Sequence, residues 1–156
     1  LLTLSTLLFV MTVNIACSSD EKAAAGNPLL EEWTTEYGVP PFDLIRTEHF
    51  KPAFDAAMQM HNEEIEVIVN TTEEPTFENV IVALDNAGVK LAELNLIFGM
   101  LSASDCDDAM QEVMNEVMPL LVEHSSAIML NDKLFERVKP HRCPLYSRHS
   151  RFGTLH

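Results

Sequence analysis

Basic side chains are scarce in this chain, and their scarcity argues against one class of partner. The sequence holds 10 Lys and Arg against 24 Asp and Glu, and all 24 acidic residues lie between residues 18 and 139. Recognition of nucleic acid depends on Lys and Arg side chains that neutralise phosphates. We therefore expect no nucleic-acid partner. We interpret the acidity as a solvated surface in preference to an acidic binding surface.

The alternation of apolar and polar residues that is typical of half-buried strands is also absent. Apolar residues recur instead at helical spacing between residues 47 and 139. The sequence therefore predicts an all-α fold, with helical hairpins or a bundle in a helical domain at 29–139. Most of the methionines are expected in the core in preference to an adaptable binding face; those considered include Met58, Met60, Met100, Met110, Met114, Met118 and Met129.

The ends of several helices are marked in the sequence. One helix is expected from Thr47 to about Val69. Thr76 is predicted to cap the next helix and Gly88 to end it in a left-handed conformation. Further helices follow from the apolar stripes Leu91–Leu101 and Met110–Ile128, and Asn131 is expected to cap the last one.

The segment before these helices is expected to be an extended strap at residues 29–45. Gly38, Pro40 and Pro41 exclude a long helix there. The apolar residues of the strap should pack across the helices; these are Leu29, Leu30, Trp33, Tyr37, Phe42 and Ile45.

Charge is missing altogether from residues 1–17, which form an apolar run that ends at Cys17. Such a run is shorter than a membrane-spanning helix and is typical of a signal peptide. Ala16 before the cysteine and Ser18 after it resemble a bacterial lipoprotein signal, although Asn14 departs from that pattern. We expect lipidation of Cys17, a flexible tether at 18–28, and an exported protein anchored to a bacterial membrane, facing the periplasm or the exterior. The alternative is a buried apolar helix with an incidental cysteine.

No C-x-x-C motif and no standard zinc spacing occurs in the chain. Cys106 and Cys143 cannot be paired from the sequence. His61 and His124 are expected at the edges of their helices, and we assign no catalytic or metal-binding residue. His141, Cys143, His149 and His156 are excluded as a metal site because nothing in their segment would hold them in place. That segment, 140–156, has neither acids nor an apolar stripe, and we expect a disordered tail that does not belong to the fold.

Several short motifs follow one another between residues 27 and 139. They are N-P-L-L, P-P-F-D-L-I, H-F-K-P-A-F, P-T-F-E-N and L-N-D-K-L-F. Together they resemble the N-terminal helical region of bacterial peptidyl-dipeptidases, in the zinc metallopeptidase family that includes thimet oligopeptidase and oligopeptidase A. The resemblance implies a parent enzyme that releases C-terminal dipeptides from short peptides.

The resemblance also implies a zinc-binding motif that this chain lacks. The family binds one zinc ion through H-E-x-x-H and a downstream glutamate, and no H-E-x-x-H occurs here. The closest sequence, H-N-E-E-I at 61–65, has no second histidine. We therefore expect an N-terminal fragment that binds no zinc, is inactive alone, and has the missing C-terminal catalytic region and short peptides as partners. The alternative is a free-standing helical surface lipoprotein that acts as a binding module.

Overall fold

The computed structural model of the chain describes residues 26–104 and 106–141. The α-helices of this part are α1 (Phe50–Asn70), α2 (Ala83–Asn86), α3 (Val89–Ser104), α4 (Asp108–Met129) and α5 (Asp132–Val138). The described residues contain no strand, so the predicted all-α fold is confirmed. In the same part of the chain, no helix combines the length and the apolar character needed to cross a membrane.

Side chains that accept hydrogen bonds from the first turn start three of the helical segments. Thr76 accepts from the amide of Asn79, and the Asn79 side chain accepts in return from the amide of Thr76. Asp107 caps α4 and Asn131 caps α5 in the same manner. Each cap satisfies an amide that has no partner inside its helix. The predicted caps at Thr76 and Asn131 are therefore confirmed.

The segment between Thr76 and Gly88 differs from a regular helix. Phe77–Val82 is a π-helical segment, and only Ala83–Asn86 is α-helical. Gly88 ends the segment with φ +74°, as predicted. The sequence signals specify both ends of the segment. They do not determine whether its backbone hydrogen bonds follow the α-helical pattern, four residues apart, or the π-helical pattern, five residues apart.

α1 lies at the centre of the fold and packs against both α3 and α4. The main core contains Phe50 and Phe54 of α1, which are fully buried. Both rings meet the Phe98 ring of α3 edge-on, at centroid distances of 4.9 and 5.5 Å. A second, smaller cluster of Ile65, Ile68 and Leu134 joins the end of α1 to α5. The 3.6-residue periodicity read from the sequence thus identifies the faces that form the core.

The strap packs on the helices at its two ends. Leu29 is completely buried and Ile45 nearly so, as expected. Asn27 fixes the first end: its side chain accepts from the Leu29 amide and donates to the carbonyl of His49. Leu30 and Trp33 lie partly buried against the core.

The middle of the strap does not pack as predicted. The side chain of Tyr37 is 92% exposed and that of Phe42 is 42% exposed. Tyr37 lies in a short 3-10 turn with a positive φ of 64°, which interrupts the extended backbone. Phe42 lies in a second turn, closed by the Leu44 amide and the Pro41 carbonyl. The prediction for these two side chains was wrong because a turn breaks the regular spacing that an extended strap would have.

The prediction that most methionines lie in the core was also wrong. Met110 is buried, and Met58 and Met114 contact the core. The other four of the seven are exposed, and these are Met60, Met100, Met118 and Met129. They occupy outward faces of their helices, where the apolar stripe that defines the core does not reach.

The remaining predictions on the termini fall largely outside the described residues. Of the predicted tether at 18–28, residues 26–28 are described, and Asn27 there is buried and hydrogen-bonded, so a flexible tether does not reach residue 28. Residues 1–25, which include Cys17, and residues 142–156, which include Cys143, His149 and His156, are among those that the structure does not describe. Of the predicted tail, Pro140 and His141 belong to a 3-10 turn at Lys139–His141 that follows α5.

Candidate functional site

Two histidines that are far apart in the sequence meet between α1 and α4. His124 Nε2 lies 3.0 Å from His61 Nδ1, and the ring centroids are 5.0 Å apart. At this distance one ring donates a hydrogen bond to the other. The sequence predicted each histidine at a helix edge, and the structure shows that these two edges face each other.

The residue that precedes α3 also contacts this pair of histidines and its neighbour on α1. The amide of Gly88, just before α3, donates a hydrogen bond of 2.7 Å to the carboxylate of Glu64 on α1. A Cβ atom on Gly88 would lie 2.8 Å from Cε1 and Nδ1 of His61. Gly88 is therefore required here both by its positive φ and by the close approach of the imidazole ring. We call His61, His124, Glu64 and Gly88 the histidine junction.

Burial controls the protonation of the two rings. Burial lowers the pKa of His61, and the negative charge of Glu64 partly opposes this effect. The pKa of His124 is lowered by burial and, to a smaller extent, by the neighbouring His61. Both rings are accordingly neutral at pH 7, the state in which one imidazole can donate to the other.

We expect the free energy of unfolding to fall as the pH is lowered below the ordinary histidine pKa of 6.5. Because the folded pKa values are the lower ones, the unfolded chain binds more protons in this range. The contribution of the histidine junction to the free energy of unfolding is therefore complete above pH 6.5 and decreases below it. Urea denaturation at several pH values between 5 and 7.5 measures the slope.

The matched control for this slope is His124→Gln, which keeps a polar side chain and removes one titrating group. We expect a flatter dependence on pH in this variant than in the parent chain. Equal slopes for the two chains would show that the histidine junction does not cause the effect.

An open depression of ≈ 360 Å³ lies beside His124 on the surface of α1 and α4. Its lining combines two carboxylates, two amides and two apolar side chains with the imidazole; the residues are Asp55, Met58, Gln59, Asn62, Leu120, Glu123 and His124. Lys51 forms an ion pair with Asp55 at 2.5 Å. The depression can contact a polar chain, but it contains no serine or cysteine nucleophile.

The serines that follow His124 in the sequence are not arranged for nucleophilic catalysis either. Ser125 and Ser126 follow it in the sequence, and both are exposed. The hydroxyl of Ser126 donates to the carbonyl of Val122 at 2.7 Å. Since His124 is bonded to His61, the described residues do not combine a serine with an activating base here.

The donor set of the described residues does not fit a zinc ion. No three or more His, Cys, Asp or Glu side chains between residues 26 and 104 or 106 and 141 lie close enough to share a metal ion. In the H-N-E-E-I segment, Glu64 binds the Gly88 amide, and Glu63 accepts from Gln59. A structural or catalytic zinc site needs at least three protein ligands, and the described part of the chain does not bring them together.

Four of the five motifs that carry the family resemblance have architectural roles in the described structure. N-P-L-L anchors the strap through Asn27, H-F-K-P-A-F supplies Phe50 and Phe54 to the core, and the P-T-F-E-N and L-N-D-K-L-F motifs supply helix caps. Arg137 of α5 also binds the carbonyls of Thr71 and Glu73. The resemblance therefore concerns how this region folds.

Comparison with known proteins gives a consistent result. No family model matches the chain. The chain is 36% identical over 112 residues to the dipeptidyl carboxypeptidase of Salmonella typhimurium, and equally to that of Escherichia coli. The match covers 72% of this chain and 16% of each relative, so the chain spans about a sixth of the length of the curated relatives it matches. The chain is thus a relative of the bacterial dipeptidyl carboxypeptidases, and the resemblance to peptidyl-dipeptidases is confirmed.

Proposed function

We propose that the chain is the N-terminal, non-catalytic part of a zinc-dependent peptidyl-dipeptidase that releases C-terminal dipeptides from short peptides. The observation that carries this proposal is the 36% identity over 112 residues to dipeptidyl carboxypeptidases. The architectural roles of the motifs that carry the resemblance support it, because these motifs contribute to folding and supply no catalytic group.

In this proposal the helices form one wall of a channel that admits short peptides and excludes folded proteins. α1 and α4 are long and exposed along their outer faces, as such a wall requires. The open depression beside His124 offers carboxylates, amides and an imidazole, and these groups can form hydrogen bonds with peptide backbone.

The zinc ion of the proposed enzyme would be bound outside this part of the chain. The described residues bring no three metal ligands together, and the whole sequence lacks H-E-x-x-H. The contribution of this region would be to shape the substrate cleft and to stabilise the catalytic region by packing against it.

The nucleotide sequence downstream of codon 139 tests the proposal. We expect a continuous reading frame that encodes H-E-x-x-H several hundred residues later, followed by a further glutamate. A stop codon shortly after a self-contained helical domain would contradict it. That result would support the free-standing surface lipoprotein that acts as a binding module.

We further propose that Cys17 is lipidated and that the protein is exported and anchored to a bacterial membrane, facing the periplasm or the exterior. Replacement of Cys17 with serine should then move the protein from the membrane fraction to the soluble fraction, because the serine oxygen does not replace the thiol in lipidation. Fractionation followed by immunoblotting measures the distribution.

Cys106→Ser is the matched control, since Cys106 is an exposed free cysteine. We expect this variant to stay in the membrane fraction. If Cys17→Ser also stays there in full, Cys17 does not carry the anchor.

A further inference from the structure

Helix α3 has almost no charge. Of the 16 residues from Val89 to Ser104, only Lys90 and Glu93 are charged. These two form an ion pair at 2.8 Å, and the Lys90 ammonium lies 4.9 Å from the centre of the Trp33 ring. Both charges are therefore engaged beside the strap, and the rest of the helix is uncharged in a strongly acidic chain.

Apolar residues lie on both the core-facing and the exposed sides of α3. Leu91, Leu94, Ile97 and Phe98 face the core. On the exposed side, apolar and small residues recur at alternating intervals of three and four, and these are Val89, Ala92, Leu96, Gly99 and Ala103. That interval is typical of a seam against which a second helix packs. We call these five residues, together with Met100, the outer face of α3.

Exposure of this face is substantial within the described structure. The side chains of Leu96, Val89 and Met100 are 65%, 51% and 45% exposed. A Cβ atom on Gly99 would meet no atom of the described residues within 4 Å. Glycine weakens a helix interior relative to alanine, and no contact of the described chain explains its presence. Close approach of another backbone would explain it.

A segment that packs on the outer face of α3 would need an uncharged, apolar face of its own. We infer that the outer face of α3 is the docking surface for a helix from the remainder of the same, longer polypeptide. This inference rests on the proposed function and names the surface through which the region joins the rest of that enzyme. The match covers only 16% of the relatives' length, so such a polypeptide has many segments available.

The size of the face favours a covalently connected helix over a free partner. A helix of 16 residues is about 24 Å long, and one face of roughly 10 Å width offers on the order of 250 Å². A stable complex between separate proteins buries about 800 Å² on each partner. A connected helix needs less area, because its effective concentration is already high. A second copy would also bring together two chains that each carry a formal charge of −14.

Two substitutions test the inference, each made both in the chain described here and in the full-length protein. Leu96→Gln places a polar group on the outer face, and Gly99→Ala adds one methyl group. In the chain alone, both positions are exposed, so Leu96→Gln should change little and Gly99→Ala should raise the urea midpoint. In the full-length protein, both should increase the rate of limited proteolysis within this region, by about tenfold for Leu96→Gln.

Val67→Gln is the matched control. Val67 on α1 is 72% exposed, and Glu63, Glu64 and Glu66 surround it with charge. This substitution should leave proteolysis of the full-length protein unchanged.

The inference is overturned if Leu96→Gln does not accelerate proteolysis of the full-length protein, or if Gly99→Ala stabilises both forms. A chain that is dimeric in light scattering, and becomes monomeric with Leu96→Gln, would also overturn it in favour of a second copy. A zinc-dependent assay of dipeptide release on the same full-length protein tests the proposed function separately. If no dipeptide is released and the proteolysis results are as expected, the docking surface stands and the proposed function fails.

Discussion

Replacement of Phe54 with alanine is expected to destabilise the folded chain by about 3–5 kcal/mol. The Phe54 side chain is fully buried, and its ring meets the ring of Phe98 edge-on with a centroid distance of 5.5 Å. The substitution removes this contact and leaves a cavity between α1 and α3 that the helices close only in part. Domains of this size have a total free energy of unfolding of roughly 5–15 kcal/mol. Urea denaturation followed by circular dichroism at 222 nm measures the loss.

Phe42→Ala is the matched control, with the same change of side chain in the strap. Because Phe42 is 42% exposed, we expect a loss of under about 1 kcal/mol. Equal losses of free energy of unfolding in the two variants would contradict the core described here, since Phe42 would then be as tightly packed as Phe54.

The second large effect concerns catalysis: the chain alone is expected to release no dipeptide from a peptide substrate. Metal-assisted hydrolysis of an amide near neutral pH needs an ion that lowers the pKa of bound water from about 16 to about 7. It also needs a base within hydrogen-bond reach of that water. The sequence lacks the H-E-x-x-H arrangement that supplies both, and His61 and His124 are bonded to each other.

The measurement is incubation of the purified chain with zinc and a blocked tetrapeptide, followed by chromatography of the products. The dipeptidyl carboxypeptidase of Escherichia coli serves as the positive control. Chelator-sensitive release by the chain alone would contradict the prediction. Loss of that release in a His61→Asn, His124→Gln double variant would then locate the unexpected site at the histidine junction.

The parts of the fold that follow from local chemistry could be predicted from the sequence. Thr76 and Asn131 precede helices and have side chains that accept hydrogen bonds, and Gly88 tolerates a left-handed conformation. The helical periodicity of apolar residues between 47 and 139 also follows from the sequence, and the face that it defines on α1 supplies Phe50 and Phe54 to the core.

Features that depend on how elements are placed relative to one another could not be predicted. The contact between His61 and His124 joins residues 63 positions apart in the sequence. It forms only because α1 and α4 pack side by side where these two residues lie. Neither residue has a neighbouring motif that signals the other. The exposure of Tyr37 likewise depends on a turn with positive φ at a residue other than glycine, which sequence preferences disfavour.

The proposed membership of this region in a zinc-dependent peptidyl-dipeptidase is tested most directly by one assay on the full-length protein encoded by the expected continuous reading frame. The purified protein is loaded with zinc and incubated with a peptide blocked at its N-terminus, and the released products are identified by mass spectrometry. We expect release of C-terminal dipeptides, loss of that release with a chelator, and its recovery on addition of zinc. Absence of dipeptide release by the folded, zinc-loaded protein, or release that a chelator does not affect, would contradict it.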